Sequence, residues 1–205
     1  MAKIGVIDYG SGNFTSVWNA ISSLTEDVKV IRTAAEFDDC SHIVLPGVGA
    51  FHAAMTKVKN MNIIEALSEE VLVKKKQFLG ICVGMQMLAT SGTEFGASDG
   101  LGFVPGRVVK FDIDSTLFSL PHIGWNNLSN MDHSPLFDGM DDNATFYFVH
   151  SFHLQPEGNL KTVNSDYGGE FVASLSVDNI HGVQFHPEKS QFYGLKLLRN
   201  FISLS

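Results

Sequence analysis

The sequence predicts an α/β protein, with a central, mostly parallel β-sheet flanked by helices and antiparallel strands added in the C-terminal half. Three observations carry that prediction. To about residue 90, short apolar runs alternate with stretches of helical periodicity, the order that builds a parallel sheet covered on both faces. One strand-to-helix joint in this region reads Gly80-Ile81-Cys82-Val83-Gly84, a glycine-flanked turn with a thiol at its tip. After Thr90 the long helical patterns give way to strand-like runs separated by turns, until a last amphipathic stretch near residue 200.

Taken in order, Lys3 to Ile7 is apolar, as a central parallel strand would be, and it runs into the turn-rich Asp8-Tyr9-Gly10-Ser11-Gly12-Asn13. From Asn13 a helix is expected, with Val17, Ala20, Ile21 and Leu24 forming its buried stripe. Val28 to Ile31 is a second strand, and Thr33-Ala34-Ala35-Glu36 has capping-box spacing for a short helical turn. His42 to Leu45 is a third strand, leading into Pro46-Gly47-Val48-Gly49-Ala50-Phe51. Helices follow over about Phe51 to Lys59 and Ile63 to Val73, the second with Ile63, Leu67 and Val71 on one face. Phe78, Leu79 and Ile81 fit a strand buried on both faces, and Met85, Met87, Leu88 and Ala89 suit a buried helix behind it. In the second half, Gly92 to Gly102 is loop-rich and Arg107 to Phe111 alternates like a strand with one wet face. Pro121 to Asn127 is a loop with Trp125 in a polar setting. Thr145 to Val149, Lys161 to Asn164, Phe171 to Ser176 and His181 to Phe185 read as strands of an antiparallel-leaning half. The last helix, about Tyr193 to Leu204, places Leu197, Phe201 and Leu204 on one side.

A chain of 205 residues with 44% hydrophobic content is long enough for one well-cored domain. With no repeat, low-complexity tract or linker, a single domain over 1–205 is expected. Fourteen basic against twenty-two acidic side chains give a charge of −8, which argues against general binding to nucleic acid or to anionic membranes. No run approaches the roughly 18 apolar residues of a membrane span, and the N-terminus lacks a signal pattern, so a soluble cytoplasmic protein is expected. The two cysteines, Cys40 and Cys82, lie far apart in such a chain, and a structural disulfide is not expected.

The chemistry-bearing residues fall in three places. A nucleophile on a sharp strand-to-helix turn needs small neighbours, which Gly80 and Gly84 supply, and a helix N-terminus behind Cys82 would favour its thiolate. The competing reading is that Cys82 is only a small buried hydrophobe. A cysteine acting on an acyl group needs a base and a group that orients the base. His186-Pro187-Glu188 offers both, because the residue before a proline is extended and side chains two apart on an extended segment share a face. The Pro46 to Phe51 loop would expose backbone N–H groups as an anion nest or oxyanion hole, or would be a tight turn only. His42, His52, His133 and His153 lack a carboxylate-proline context, His122 lies in the tryptophan loop, and His150 and His181 are less easily set aside. His150-x-x-His153 lacks a third ligand at zinc spacing, so no metal is expected. Gly10-x-Gly12 lacks the third glycine of a dinucleotide fingerprint, which would fall at Thr15, and no cofactor is expected.

Together Pro46-Gly47-Val48-Gly49, Gly80-Ile81-Cys82-Val83-Gly84-Met85-Gln86 and His186-Pro187-Glu188, in that order and spread over nearly the whole chain, resemble the class I glutamine amidotransferases. The resemblance implies a flavodoxin-like three-layer sandwich. It implies that Cys82 attacks the glutamine amide to give a γ-glutamyl thioester and ammonia, with His186 as base and acid and Glu188 holding it. The N–H groups of Val83 and, after a peptide reorientation, Gly49 would stabilise the oxyanion, one such donor being worth roughly 3 kcal/mol. Gly47, Gln86 and main-chain groups at Ser151 and Phe152 would hold the glutamine. Asp8 to Asn13, Pro121 to Asn126, Tyr147 to Ser151 and Gly182 to Ser190 look like the branch of the family serving histidine biosynthesis. There the chain is the glutaminase subunit of a heterodimer, passing ammonia to a (β/α)₈-barrel cyclase, with Asn13, Trp125, Tyr147 and Lys189 toward that partner. Related readings are a paralogous glutaminase subunit of an ATP-dependent sugar amidotransferase in surface-glycan synthesis and a free-standing γ-glutamyl cysteine hydrolase. A non-catalytic scaffold, with Cys82 merely packed, is the reading from another class.

Overall fold

The computed structural model describes residues 2–205. Its centre is a seven-stranded sheet in the order β11-β12-β13-β4-β3-β1-β2. Strands β1 (Ile4–Ile7), β2 (Val28–Ile31), β3 (His42–Gly47), β4 (Gln77–Cys82) and β13 (Ile180–Val183) run parallel, and β11 (Thr162–Asp166) and β12 (Glu170–Val177) add antiparallel neighbours at one edge. Every residue of β1, β3 and β13 is buried, which requires cover on both faces of the sheet. The cover comes in two groups: α1 (Phe14–Ser22) packs with α5 (Gln191–Ile202), and α2 (Phe51–Asn60) packs with α4 (Val83–Gln86). No helix among the described residues is long and apolar enough to cross a membrane.

The first half follows the apolar periodicity closely. Val17 and Ile21 are buried on α1, and Ala20 and Leu24 pack against the same core. The expected short turn is a 3₁₀ segment, Ala34–Phe37, and the Glu36 carboxylate accepts from the N–H groups of Arg32 and Thr33 at 2.6 and 2.7 Å. Ile63, Leu67 and Val71 are fully buried, but their helix is regular only over α3 (Ile64–Ser68) and widens to a π turn over Glu69–Val73. There the Asn179 side chain donates to the Val71 carbonyl at 2.8 Å, and Glu70 turns inward to pair with Lys74 and Lys76.

Three expectations need correction. The helix behind the thiol is a single turn. The carbonyls of Met87, Leu88 and Ala89 accept from Leu101, Val104 and Gly102 at 2.8, 2.9 and 3.0 Å, so these buried residues tie down the following loop instead of continuing a helix. Residues 121–127 are not a loop: β8 (His122–Asn127) pairs along its whole length with β9 (Thr145–His150) as a two-stranded ribbon. Finally, β13 is parallel to β4 and belongs to the central sheet. The second half also supplies a four-stranded sheet, β10-β7-β5-β6, in which β10 (Phe152–Pro156) pairs with β7 (Gly106–Lys110), and β5 (Ser91–Gly92) and β6 (Ser98–Asp99) complete the edge. The last helix starts two residues early, at Gln191, burying Leu197 and Phe201, and Leu204 packs from beyond its end.

Candidate active site

The sheet register assembles the site. Gly47 at the end of β3 lies opposite Cys82 at the end of β4, and Val183 at the end of β13 lies opposite Ile81. Because these strands are parallel neighbours, the segments that leave them meet at one edge, where α/β sheets bind ligands. They are the 46–51 loop, the thiol turn and the His186 segment.

Cys82 has φ 55° and ψ −109°, outside the regions open to residues with a Cβ. Close packing holds it there. A Cβ on Gly80 would lie 2.6 Å from the Gly84 carbonyl carbon, and one on Gly84 would overlap the Leu45 carbonyl oxygen. Cys82 is the N-cap of the helix expected behind it, but that helix, α4, has only four residues. What remains is the local field of first-turn N–H groups that have no partner within the helix, Val83 first among them.

His186 Nδ1 donates to Glu188 Oε1 at 2.8 Å, with both side chains fully buried. His186 is extended, as a residue before proline should be, but Pro187–Lys189 forms a 3₁₀ turn, so the carboxylate curls back to the ring it follows. The Ser190 hydroxyl locks the turn, donating to the His186 carbonyl at 2.6 Å and accepting from the Tyr147 N–H at 3.0 Å. His186 Nε2 is buried without an oxygen or nitrogen partner. Burial works against the imidazolium, yet Cys82 and then Glu188 outweigh it and raise the ring to about 10. The ring thus stands between the sulfur on one side and the carboxylate on the other, and both partners favour its holding a proton. Gln184 Nε2 also reaches Cys82 Sγ, at 3.7 Å.

A cleft of about 150 Å³ opens over the sulfur, lined by Val48, Gly49, Cys82, Val83, Gln86, Glu94, Val149, His150, Ser151 and Phe152. Gly49 bends the loop there, at φ 92°. Gln86 Nε2 donates to the Phe152 carbonyl at 2.9 Å and to Gln184 Oε1 at 3.1 Å, while the Ser151 carbonyl accepts from Phe111. Gly47 lies beneath the cleft rather than on its wall, packed against Gly84 and Tyr9. Periodicity and motif spacing missed Glu94, which lines the cleft and accepts from the Phe51 N–H at 2.8 Å, fixing the start of α2. Nothing in its local sequence marks it, since its place depends on the loop captured by residues 87–89.

Of the four residues expected toward a partner, three form one surface cluster, with Trp125 and Lys189 exposed and Tyr147 half-buried. Trp125 packs edge-on against Tyr147 with ring centroids 6.2 Å apart, and Lys189 Nζ stands 5.8 Å from the Tyr147 ring centre. Asn13 does not join them: it is 3% exposed and donates from Nδ2 to Glu188 Oε1 at 3.1 Å. Behind the ribbon, His122 and His150 face each other at 3.2 Å, and burial lowers them to about 4 and about 3. His150 Nδ1 meets the Phe152 carbonyl at 3.0 Å and must be its donor, so His150 Nε2 accepts from His122. Among the described residues no three His, Cys, Asp or Glu side chains are grouped to hold a metal ion.

A parallel-sheet edge carrying a strained thiol, a buried imidazole paired with a carboxylate and a small cleft is the arrangement that thiol-dependent acyl transfer needs, and the family comparison agrees. The chain belongs to the class I glutamine amidotransferases, whose family profile matches residues 5–204. It is 46% identical over 201 residues to imidazole glycerol phosphate synthase subunit HisH 1 of Campylobacter jejuni strain RM1221, covering 98% of this chain and 100% of that protein. The corresponding HisH protein of Leptospira interrogans is 42% identical over 204 residues, covering 98% and 100%. Among solved structures, a putative GMP synthase protein from Thermoplasma acidophilum has the same fold. It superposes with a TM-score of 0.72 at 24% identity, covering 98% of this chain and 92% of that one.

Proposed function

We infer that the chain is the glutaminase subunit of an imidazole glycerol phosphate synthase, hydrolysing glutamine and supplying ammonia to a cyclase partner for histidine biosynthesis. The observation that carries the chemistry is His186, buried between Glu188 and the cleft-lining Cys82. In this reading the Cys82 sulfur attacks the side-chain amide carbon of glutamine. The N–H groups of Val83 and Gly49 receive the oxyanion. His186 takes the thiol proton and delivers it to the leaving nitrogen, so ammonia departs as the carbon–nitrogen bond breaks and a γ-glutamyl thioester remains. Water then attacks the thioester, His186 accepts its proton, and glutamate leaves with the thiol restored. Gln86 and the main chain at Ser151 and Phe152 hold the substrate from one side. Glu94 is placed to face its α-ammonium.

The partner of this reading is a (β/α)₈-barrel cyclase, and the assembly a one-to-one heterodimer. The β8–β9 ribbon supports it: Ile123, Trp125, Tyr147 and Val149 form one apolar strip from the cleft wall to the exposed surface, with Lys189 beside it. Such a strip suits a surface that is covered in a complex and across which an uncharged small molecule passes dry. The test is glutamate release by the chain alone and mixed with the barrel cyclase. Stimulation by the cyclase is expected; equal rates with and without it would overturn the pairing.

A further inference from the structure

We infer that Asn13 is a positioning residue for Glu188, fixing the carboxylate that orients His186; this rests on the glutaminase reading above. Asn13 occupies the N-cap of α1, where an asparagine side chain ordinarily accepts from the second or third helical N–H, yet it makes no capping bond. Its amide is committed elsewhere. The Glu188 carboxylate only accepts, so it takes the Nδ2 end at 3.1 Å, and the Oδ1 end accepts from the Ser11 hydroxyl at 2.6 Å. The result is a directed series of hydrogen bonds: Ser11 to Asn13, Asn13 to Glu188, and His186 to that same Glu188 oxygen.

Two features make Asn13 more than a neighbour. Glu188 Oε2 is buried with no hydrogen-bond partner, so the carboxylate is held through Oε1 alone, by His186 and Asn13. Asn13 is 3% exposed and the Glu188 side chain 0%, so water does not stand ready to replace the amide. With Asn13 removed, the only partner of Glu188 left among the described residues is the ring it is meant to orient. The imidazole would then lose its fixed direction toward Cys82. Position 13 also ends the exposed 10–12 loop, which places a surface segment one hydrogen bond from the catalytic carboxylate.

The test compares Asn13→Asp with Asn13→Ala. A capping role ranks Asp with Asn and puts Ala below both. A positioning role ranks Asp last, because an ionised carboxylate cannot donate to Glu188 and repels it. Two readouts are taken beside thermal melting. One is the pH dependence of Cys82 alkylation by iodoacetamide in the isolated chain, with Cys82→Ala as background; it needs neither glutamine nor a partner. The other is kcat and KM for glutamate release in the complex. Asn13→Ala is expected to lose roughly tenfold in kcat with KM nearly unchanged, as for other residues that orient a functional group. Asn13→Asp is expected to lose about tenfold more at pH 8 and to recover toward the Ala level as the pH falls and its carboxyl is protonated and able to donate. Its alkylation profile should move to higher pH. Wild-type kinetics and an unshifted profile in Asn13→Asp, with a lower melting temperature in Asn13→Ala, would overturn the inference. Should the wild type show no glutamine turnover in any complex, the glutaminase reading fails, and a shifted alkylation profile still supports the Asn13–Glu188 coupling.

Discussion

Cys82 is held at φ 55°, a conformation that costs a residue with a Cβ on the order of 1–3 kcal/mol. The fold sustains that strain at the residue where the chemistry is proposed to occur. Cys82→Ala keeps the strain and Cys82→Gly releases it. Both should therefore abolish glutamate release, while Cys82→Gly unfolds at a higher denaturant concentration than Cys82→Ala, by about 1 kcal/mol in stability. Equal stability of the two variants in urea titrations would mean that the turn is not strained. At this scale the sequence was legible where a residue's chemistry and its immediate neighbours agree, as at Cys82 between two glycines and His186 before a proline. It was not legible where the role depends on a contact far along the chain. Asn13 reaches Glu188 across 175 positions, and Glu94 reaches the cleft through a loop held by residues 87–89.

Two elements bracket the site, the thiol turn and the β8–β9 ribbon. Gly84 lies so close to Leu45 that Gly84→Ala must push β3 and α4 apart. A loss of roughly 1–3 kcal/mol in unfolding free energy is expected, as for other overpacked cores, with loss of glutamate release. On the ribbon, Trp125 is 48% exposed and supports no buried core. Trp125→Ala should leave the melting temperature unchanged and weaken cyclase binding by about 2 kcal/mol, roughly thirtyfold in Kd by isothermal titration. Parallel strands buried on both faces, such as β1, β3 and β4, read plainly from unbroken apolar runs. The ribbon did not, because β8 alternates buried His122 and exposed Ile123 and Trp125 amid glycine and asparagine, composition that reads as loop until β9 is laid beside it. The missing helix after α4 has a similar cause: Met87 to Ala89 are as buried as a core helix would make them, but their carbonyls serve the loop.

Taken whole, the molecule buries several histidines as neutral rings. Burial lowers His122 and His181 from 6.5 to about 4 and His150 to about 3. In the unfolded chain these rings protonate near pH 6.5, whereas in the folded chain they resist. The unfolded state therefore binds more protons below pH 6.5, and the stability due to these rings is present above that pH and lost as the pH falls toward 4 and below. Urea titrations should show stability falling from pH 7 to pH 5, and His181→Asn, remote from the cleft, should flatten that slope. An unchanged slope in the variant would mean that His181 is not the buried neutral ring described. The same assembly brings strands β3, β4 and β13 to one edge, so that segments more than a hundred residues apart share a single sulfur. The most direct measurement of that convergence is peptide mapping after treating the cyclase complex with a diazoketone analogue of glutamine. The label should fall on Cys82 and not on Cys40, be blocked by glutamine, and be lost in His186→Asn. Labelling of Cys40, or labelling of Cys82 that neither glutamine nor the His186 substitution affects, would contradict the account.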